Sequence, residues 1–290
     1  MVALSKFRQS AVRGCHDGRV ARPDWAPNEI DLERPSIARV YDYWLGGAHN
    51  FAADRALANQ AVGIMPSLKS AIMTNRAFLR RAVRFLAGAG VRQFLDLGSG
   101  IPTVGNVHEV ARQAAPESRV VYVDLDPVAV AHSRALLSGD PLVTVLQADI
   151  RYPAAVLDSP EVRAQLNLDE PVAVLMVALL HFVPDSENPA GIIAGYRDRM
   201  VPGSYLALSQ LGTEPGEEPE GWQRYRDLYA ASVTPLSSRR RTEVEAFFDG
   251  YELVEPGVAR MPLWHPESPD DLEPDADRFP GFAGVGRLPS

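Results

Sequence analysis

The sequence contains little cysteine and no long apolar run. Cys15 is the only cysteine among 290 residues, so neither an internal disulfide nor a zinc site built from several cysteines can form, and a reducing cytoplasm is the expected compartment. The longest apolar run, residues 171–180, has the length of a strand. It is shorter than the roughly 18 to 20 residues that a membrane-spanning helix needs. We therefore expect a soluble protein without a membrane partner.

The sequence also contains fewer basic than acidic residues. The 29 Lys and Arg residues face 37 Asp and Glu residues, and the resulting net charge of −8 argues against nucleic acid as a partner. Basic residues nevertheless occur near the start of the chain, at Lys6, Arg8, Arg13, Arg19 and Arg22. No apolar stretch lies among them, so we expect a flexible basic tail over residues 1–30 and not a secretory signal. The six histidines form no short ligand cluster, and no metal site is predicted.

Three helices are predicted before the first strand. Between residues 36 and 45 the apolar side chains follow the spacing i, i+3, i+4, i+7 and i+8 of an amphipathic helix, and two glycines, Gly46 and Gly47, end it. Similar patterns predict helices over residues 52–62 and 67–87. We interpret residues 31–90 as a helical cap or lid segment.

Strands and helices alternate after residue 90. Apolar runs predict strands at residues 93–97, 119–124, 142–147, 172–180 and 204–211, with helices at 103–114, 128–137 and 191–200 between them. Helices beginning at residue 222 and covering 242–248, and strands at 251–258 and 282–286, complete the pattern. Such alternation is typical of a parallel sheet covered on both faces. Residues 91–290 are therefore predicted to form a Rossmann-like, doubly wound α/β domain.

A glycine-rich turn, D-L-G-S-G at residues 96–100, follows the first predicted strand. Glycines let the backbone bend sharply and let a ligand approach closely, while the next helix offers unpaired N–H groups. A dinucleotide-binding turn would have a third glycine at position 103, where this chain has Thr103. The carboxylate of Asp96 suits a cationic amino group better than a phosphate. The turn therefore favours an adenosyl sulfonium over NAD.

Acidic residues also follow the next two predicted strands. Asp124 has the position of an acid that binds a ribose diol, whereas Asp126 is better placed to cap the following helix. Asp149 can accept a hydrogen bond from an adenine amino group, and Ile150 can pack against the ring. Three acids at successive strand ends predict a nucleoside site.

In these motifs, at residues 96–100, 122–127 and 147–150, the sequence resembles the class I S-adenosylmethionine-dependent methyltransferases. Residues 34–54, 98–103 and 180–185 look more closely like an actinobacterial family of largely uncharacterised S-adenosyl methyltransferases. The resemblance covers residues 31–288. It implies S-adenosylmethionine as cofactor and a seven-stranded, mostly parallel sheet with an antiparallel last strand, preceded by a helical cap.

The resemblance also implies which residues contact the cofactor. Asp96 and the turn residues Gly98, Ser99 and Gly100 would face its methionine part. Asp124 would face the ribose, and Asp149 with Ile150 the adenine; Leu125, next to Asp124, is expected to contact the cofactor as well. Pro102 departs from the wider superfamily, in which many members have a third glycine, and this puts the exact approach of the cofactor in question.

Other residues allow two interpretations. Tyr41, Asn50 and Phe51 lie in the predicted cap, where they could close over a nucleoside, or could equally be two core aromatics and a turn residue. His181 follows a central strand on the ligand side of the sheet, so it could be a general base or could hold its own loop by hydrogen bonds. The acidic loops at 213–221 and 267–277 could be plain solvated surface or could cover a substrate entrance.

The sequence leaves the methyl acceptor open, although a small molecule is expected. Two other functions remain: a regulator that binds S-adenosylmethionine without catalysis, and, disfavoured by Thr103, a nicotinamide-dependent oxidoreductase. No oligomeric state is predicted.

Overall fold

The structure is a computed structural model, and it describes residues 30–102, 105–268, 272 and 275–290. The predicted basic tail with Cys15, the diagnostic Thr103, and Asp270, Asp271 and Glu273 of the acidic loop lie outside the described residues.

One mixed sheet organises the described part of the chain. Its strands are β1 (Gln93–Leu97), β2 (Arg119–Asp124), β3 (Val143–Gln147), β4 (Ala173–Val177), β5 (Tyr205–Leu211), β6 (Glu252–Leu253), β7 (Ala259–Arg260) and β8 (Gly281–Arg287). The order is β3-β2-β1-β4-β5-β8-β6, and β7 pairs with β8 beside this path. Strands β1 to β5 run parallel, and β8 is antiparallel to β5. The predicted Rossmann-like, doubly wound class and the antiparallel last strand are confirmed.

The described sheet has eight strands, where seven were expected. The difference arises at residues 251–258, which were expected to form a single strand. Instead, β6 and β7 pair with separate parts of β8, with Glu252 opposite Arg287 and Ala259 opposite Ala283. Between them lie Pro256, which has no N–H to donate to a neighbouring strand, and Gly257, whose φ of 81° turns the chain.

Ten α-helices lie in the described ranges: α1 (Ile37–Trp44), α2 (Ala52–Ile64), α3 (Leu68–Gly88), α4 (Val107–Ala114), α5 (Pro127–Leu136), α6 (Pro153–Leu157), α7 (Pro160–Gln165), α8 (Pro189–Arg197), α9 (Trp222–Ser232) and α10 (Arg241–Glu245). All except α6 and α7 correspond to predicted helices. These two have five and six residues, too few to show an apolar period. A cap signal was available for α7, because Ser159 accepts a hydrogen bond from Val162 N–H and Pro160 follows it.

The two faces of the sheet bury two separate cores, as expected for a doubly wound fold. Along β1, Leu95 and Leu97 face one core and Phe94 the other, in the period-2 alternation of a strand. Helix α3 belongs to the second core, where its buried side chains, among them Phe78 and Leu86, lie against the sheet. The division of the chain near residue 90 remains a prediction.

Helices α1 and α2 are joined by one fully buried carboxylate, that of Asp54. Its oxygens accept hydrogen bonds from the N–H of Ser36 at 2.9 Å and of Phe51 at 2.7 Å. They also form a 3.1 Å ion pair with Arg39, whose side chain is 4% exposed. A buried charge needs such compensation, so α1 and α2 are held as one unit. The hydroxyl of Ser36 in turn donates to Asp126, just beyond the end of β2.

Candidate functional site

A cavity of about 1180 Å³ opens at the carboxyl ends of β1 to β5. Parallel strands place all these ends at the same edge of the sheet, where ligands of doubly wound folds bind. Ten of the twelve predicted site residues line it: Tyr41, Asp96, Gly98, Ser99, Gly100, Asp124, Leu125, Asp149, Ile150 and His181. The structure therefore brings the three strand-end acids to one cavity.

Asp96 lies within β1 and is 6% exposed. Burial raises the pKa of this carboxyl to about 7, the nearby Arg76 opposes the rise, and Asp124 adds to it. A buried carboxyl of this kind is ionised at little cost only when a cation lies beside it. The position therefore suits an ammonium group of a ligand.

The glycine turn after β1 needs two residues in the left-handed region. Gly98 has a φ of 68°, and a Cβ placed on it would lie 2.5 Å from Cδ1 of Leu179. Gly100 has a φ of 65°, but a Cβ there would meet no atom within 4 Å. The first glycine is thus required by both conformation and space, while the second leaves open room above the turn. This open backbone matches the predicted close approach of a ligand.

Asp124, at the end of β2, is 9% exposed. Its Oδ2 accepts a hydrogen bond from Gly100 N–H at 2.7 Å, and its Oδ1 accepts one from Asp126 N–H at 2.8 Å. Burial raises its pKa to about 6, although these backbone N–H groups oppose the rise. Asp126 caps α5 through the N–H groups of Val128 and Ala129, which confirms its predicted role.

The third acid, Asp149, is partly compensated within the protein. Arg151 forms an ion pair with it at 2.6 Å and a second one with Glu187 at 2.9 Å. The hydrogen bonds from Arg151 lower the pKa of Asp149 despite its partial burial. Ile150 is 7% exposed, and its carbonyl accepts a hydrogen bond from the Tyr196 hydroxyl at 3.0 Å. Both Asp149 and Ile150 border the cavity.

Tyr41 reaches the cavity from α1 and is held by side chains that the sequence analysis missed. Its hydroxyl accepts a hydrogen bond from Asn75 Nδ2 at 3.0 Å, and Asn75 Oδ1 accepts one from the Ser209 hydroxyl at 2.7 Å. The Ser209 oxygen in turn accepts from Ala178 N–H at 2.8 Å. This chain of hydrogen bonds connects the ends of β4 and β5 to the cap.

Asn50 and Phe51 lie outside the lining of the cavity. The Asn50 amide donates to Asp42 Oδ2 at 2.9 Å and to the Gly47 carbonyl at 3.0 Å, as a turn residue does. Phe51 is 4% exposed within an apolar cluster, and the Arg39 guanidinium carbon lies 5.2 Å from the centre of its ring. These positions fit the packing alternative for both residues.

His181 is half-buried at the cavity and is held in its neutral form. Burial, and then the charge of Arg239, lower its pKa to about 3. Its Nδ1 is buried and has no hydrogen-bond partner among the described residues. A neutral imidazole of this low basicity can accept a proton only weakly.

Arg239, and not the imidazole, holds the loop that follows β4. Its guanidinium is almost fully buried and donates to the carbonyls of Leu180 and Val183, both at 2.8 Å, and to Asp185 at 2.7 Å. Sequence reasoning missed this residue because it lies more than fifty positions further along the chain, in a run of three arginines that looks like ordinary surface.

Arg76 is a second missed arginine. It projects from α3 into the lining of the cavity, donates to the Gly105 carbonyl at 3.2 Å, and opposes the rise in the pKa of Asp96. A cation and a carboxylate therefore lie together beside the glycine turn, which is the pattern that an amino-acid zwitterion needs.

The described residues contain no group of three or more His, Cys, Asp or Glu side chains able to hold a metal. Nor does any helix within the described ranges combine the length and apolarity that crossing a membrane would require.

A doubly wound sheet whose first three strands place Asp96, Asp124 and Asp149 at one cavity, beside a glycine turn, defines a class I S-adenosylmethionine-dependent methyltransferase. The chain belongs to the S-adenosyl methyltransferase family, whose model matches residues 23–289. Its cofactor is S-adenosylmethionine.

Two solved structures are similar over nearly the whole chain. A Thermobifida fusca protein, whose assignment as a methyltransferase is itself inferred, is 42% identical with a TM-score of 0.85, and the alignment covers 92% of this chain and 100% of that one. A DUF574 family protein from Streptomyces avermitilis is 39% identical with a TM-score of 0.84, over 89% of this chain and 99% of that one. The expected actinobacterial affinity is confirmed. No curated protein matches the chain.

Proposed function

We propose that this S-adenosylmethionine-dependent methyltransferase acts on a small molecule bound in the same cavity as its cofactor. The observation that carries the proposal is the size of the cavity, about 1180 Å³. Pockets for one drug-sized ligand measure roughly 300 to 1,000 Å³, so there is room for a cofactor and a modest acceptor. The net charge of −8 disfavours nucleic acid as the acceptor, and the lone Cys15 fits the cytoplasmic location that we propose.

We assign the methionine end of the cofactor to the glycine turn. Asp96 would accept hydrogen bonds from the ammonium group, and the guanidinium of Arg76 would bind the carboxylate. Gly98, Ser99 and Gly100 would pass beneath this part of the molecule. Support comes from the raised pKa of Asp96 and from the open space above Gly100.

The nucleoside end is assigned to the ends of β2 and β3. Asp124 would accept hydrogen bonds from the ribose hydroxyls, because its carboxylate lines the cavity at the end of β2 and is held there by the N–H groups of Gly100 and Asp126. Leu125, 58% exposed beside it, and the buried Ile150 would cover the adenine, while Asp149 would accept from its amino group. We refer to this region, from the glycine turn to Ile150, as the cofactor half of the cavity.

S-adenosylmethionine supplies a methyl group already activated by its sulfonium. The protein therefore has to align the acceptor and exclude water, with little need for covalent help. Tyr41, fixed by Asn75, would border the region where the two ligands meet. His181 would lie beside the acceptor as a neutral imidazole, with its low pKa limiting it to weak proton acceptance.

Two measurements test this function. Calorimetric titration with S-adenosylmethionine, S-adenosylhomocysteine and NAD should give binding of the first two only. Incubation with methyl-labelled cofactor and a fractionated metabolite extract should then yield a labelled small molecule. Binding without any labelled product, in the extract or on added protein or nucleic acid, would favour a regulator that has no catalytic activity. Binding of NAD in preference to the other two would remove the proposal.

A further inference from the structure

The part of the cavity at the ends of β4 and β5 contains a continuous row of rings. The row begins at His181, whose ring centre lies 4.2 Å from that of Phe182, and the ring centres of Phe182 and Tyr229 are 6.3 Å apart. The ring centre of Tyr225 lies 5.0 Å from that of Tyr229 and 6.5 Å from that of Trp222, which ends the row. All five residues line the cavity. We call this row the aromatic wall, and the space beside it the acceptor half.

The aromatic wall is fixed in place by its own packing. Trp222, Tyr225 and Tyr229 are 5%, 6% and 2% exposed and belong to one buried cluster between α2 and α9. The rings of Tyr225 and Tyr229 also contact each other. Phe182 and His181 are only half-buried, so their rings present the accessible surface of the wall, and the buried rings behind them hold them in place. Flat rings stack on such surfaces with favourable geometry.

The acceptor half contains more carboxylates than cationic side chains. The segments before α9 and β8 contribute Glu217, Glu218 and Asp275 to the lining, against Arg278. Glu217 is paired with Arg260, so two carboxylates remain against one guanidinium. The adjoining cofactor half contributes two further carboxyl groups to the lining, those of Asp96 and Asp124. An anionic acceptor would meet a repulsive field here, whereas a neutral one, or one that becomes cationic, would not.

The rings that border the acceptor half supply no strong base. His181 has a pKa of about 3, and burial raises the pKa of Tyr41, Tyr225 and Tyr229. A phenol, with a pKa of about 10, would find no strong proton acceptor among these rings. A nucleophile with a free lone pair at neutral pH needs no such acceptor.

We propose, on the basis of the proposed function, that the acceptor is a planar nitrogen heteroaromatic, uncharged at neutral pH, that stacks on the aromatic wall and is methylated on its ring nitrogen. The nitrogen lone pair forms the new N–C bond, the S–C bond breaks with its electron pair left on sulfur, and the positive charge passes to the ring. No proton moves, and the product cation lies among carboxylates and aromatic faces, both of which favour it.

The test uses the full-length protein saturated with S-adenosylhomocysteine and four probes: quinoline, the saturated bicyclic ketone 2-decalone, quinoline-6-carboxylate and 2-naphthol. Ligand-observed NMR and calorimetry measure their binding. Quinoline should bind about tenfold more tightly than 2-decalone, which is also uncharged but cannot stack, and than the carboxylate. With labelled S-adenosylmethionine, quinoline should give N-methylquinolinium, and 2-naphthol should give no ether.

Two variants locate the probe. Trp222→Leu and Phe182→Leu should each weaken quinoline binding about fivefold, and S-adenosylhomocysteine binding should be unchanged. Tyr152→Leu, which alters a 64% exposed tyrosine outside the lining, is the matched control. Phe182 is only half-buried, so its variant serves if Trp222→Leu does not fold.

The inference is overturned if quinoline does not bind, if 2-decalone or the carboxylate binds as tightly, or if the folded wall variants retain full quinoline affinity. Methylation of 2-naphthol in place of quinoline would overturn the nitrogen assignment. None of these results affects S-adenosylhomocysteine binding, so none of them contradicts the proposed function. Failure of the wild-type protein to bind S-adenosylhomocysteine would instead remove the proposed function, and the inference with it.

Discussion

The two halves of the cavity are built in different ways. The cofactor half consists of short motifs in which the important residues are neighbours in sequence and much of the contact surface is backbone, as at Gly98 and Gly100. The acceptor half is assembled from side chains that are far apart in the chain, such as Phe182 and Trp222. Backbone geometry preserves a site for an invariant cofactor, whereas scattered side chains can change with the acceptor.

The largest effect is expected from Gly98→Ala, which tests whether backbone shape governs the cofactor half. The added Cβ would lie 2.5 Å from Leu179 Cδ1, at a φ of 68°. We expect a loss of about 2 to 5 kcal/mol of stability and about a hundredfold or more of S-adenosylhomocysteine affinity. Gly100→Ala, with a similar φ and open space, isolates the conformational strain. Equal effects of the two variants, measured by calorimetry and thermal unfolding, would contradict the steric argument.

The second largest effect is expected from Asp124→Ala. Loss of the hydrogen bonds to the ribose should weaken S-adenosylhomocysteine binding by about 1 to 3 kcal/mol. The control is Asp198→Ala, which removes a 64% exposed carboxylate that lies outside the cavity lining. Calorimetric affinity for the variant within twofold of the wild-type value would refute the ribose assignment.

Arg76→Gln separates the two ends of the cofactor. We expect S-adenosylhomocysteine to bind about tenfold more weakly, because its carboxylate loses a charged partner, while adenosine, which lacks the amino-acid part, binds as before. Arg84→Gln, on the same helix but paired with Glu267 at the surface, provides the control. A similar loss for both ligands would mean that Arg76 acts through the shape of the site and not through the carboxylate.

The pH dependence tests the charge state of the cofactor half. Burial raises the pKa of Asp96 to about 7, against about 3.9 for an unfolded aspartate. The folded protein holds this proton more tightly, so the free energy of unfolding without ligand should fall as pH rises from about 4 to about 7. Affinity for S-adenosylhomocysteine should rise over about pH 5 to 7, as Asp96 and then its ammonium contact become fully ionic.

Asp96→Asn should remove most of the pH dependence of both the free energy of unfolding and the S-adenosylhomocysteine affinity. Asp124, whose pKa is about 6, accounts for the pH dependence that remains. Thermal unfolding and calorimetry at four pH values provide the measurements. Unchanged slopes in the variant would assign the titration to other groups.

The smallest change is expected for Tyr41→Phe, at the border of the two halves. Asn75 Nδ2 would lose its 3.0 Å partner, which should cost about 1 kcal/mol of stability. Cofactor affinity should change less than twofold, because no cofactor atom is assigned to the hydroxyl. Tyr152→Phe, at an exposed position, controls for loss of a hydroxyl. A large loss of cofactor affinity would move Tyr41 into the cofactor half.

The same contrast explains what the sequence could predict. Strands β1 to β5 were recognisable because buried parallel strands are mostly apolar, and the three acids could be grouped because parallel strands end at one edge. The two pieces β6 and β7 could not be predicted, since two-residue strands have no period of their own. Asn75 was missed because its role depends on hydrogen bonds to residues that are far away in sequence, such as Ser209, and a single amide on a helix does not indicate them.

The contacts of the buried Asp54 carboxylate restrict how α1 and α2 can move. Because one carboxylate ties the backbone before α1, the Arg39 side chain and the first residue before α2, these helices cannot separate without exposing an unpaired charge. Any opening of the cavity at this side would have to move the two helices together, and could not proceed by fraying either one alone. Amide hydrogen exchange in α1 and α2 would proceed at one common rate, and bound nucleoside would slow both helices together.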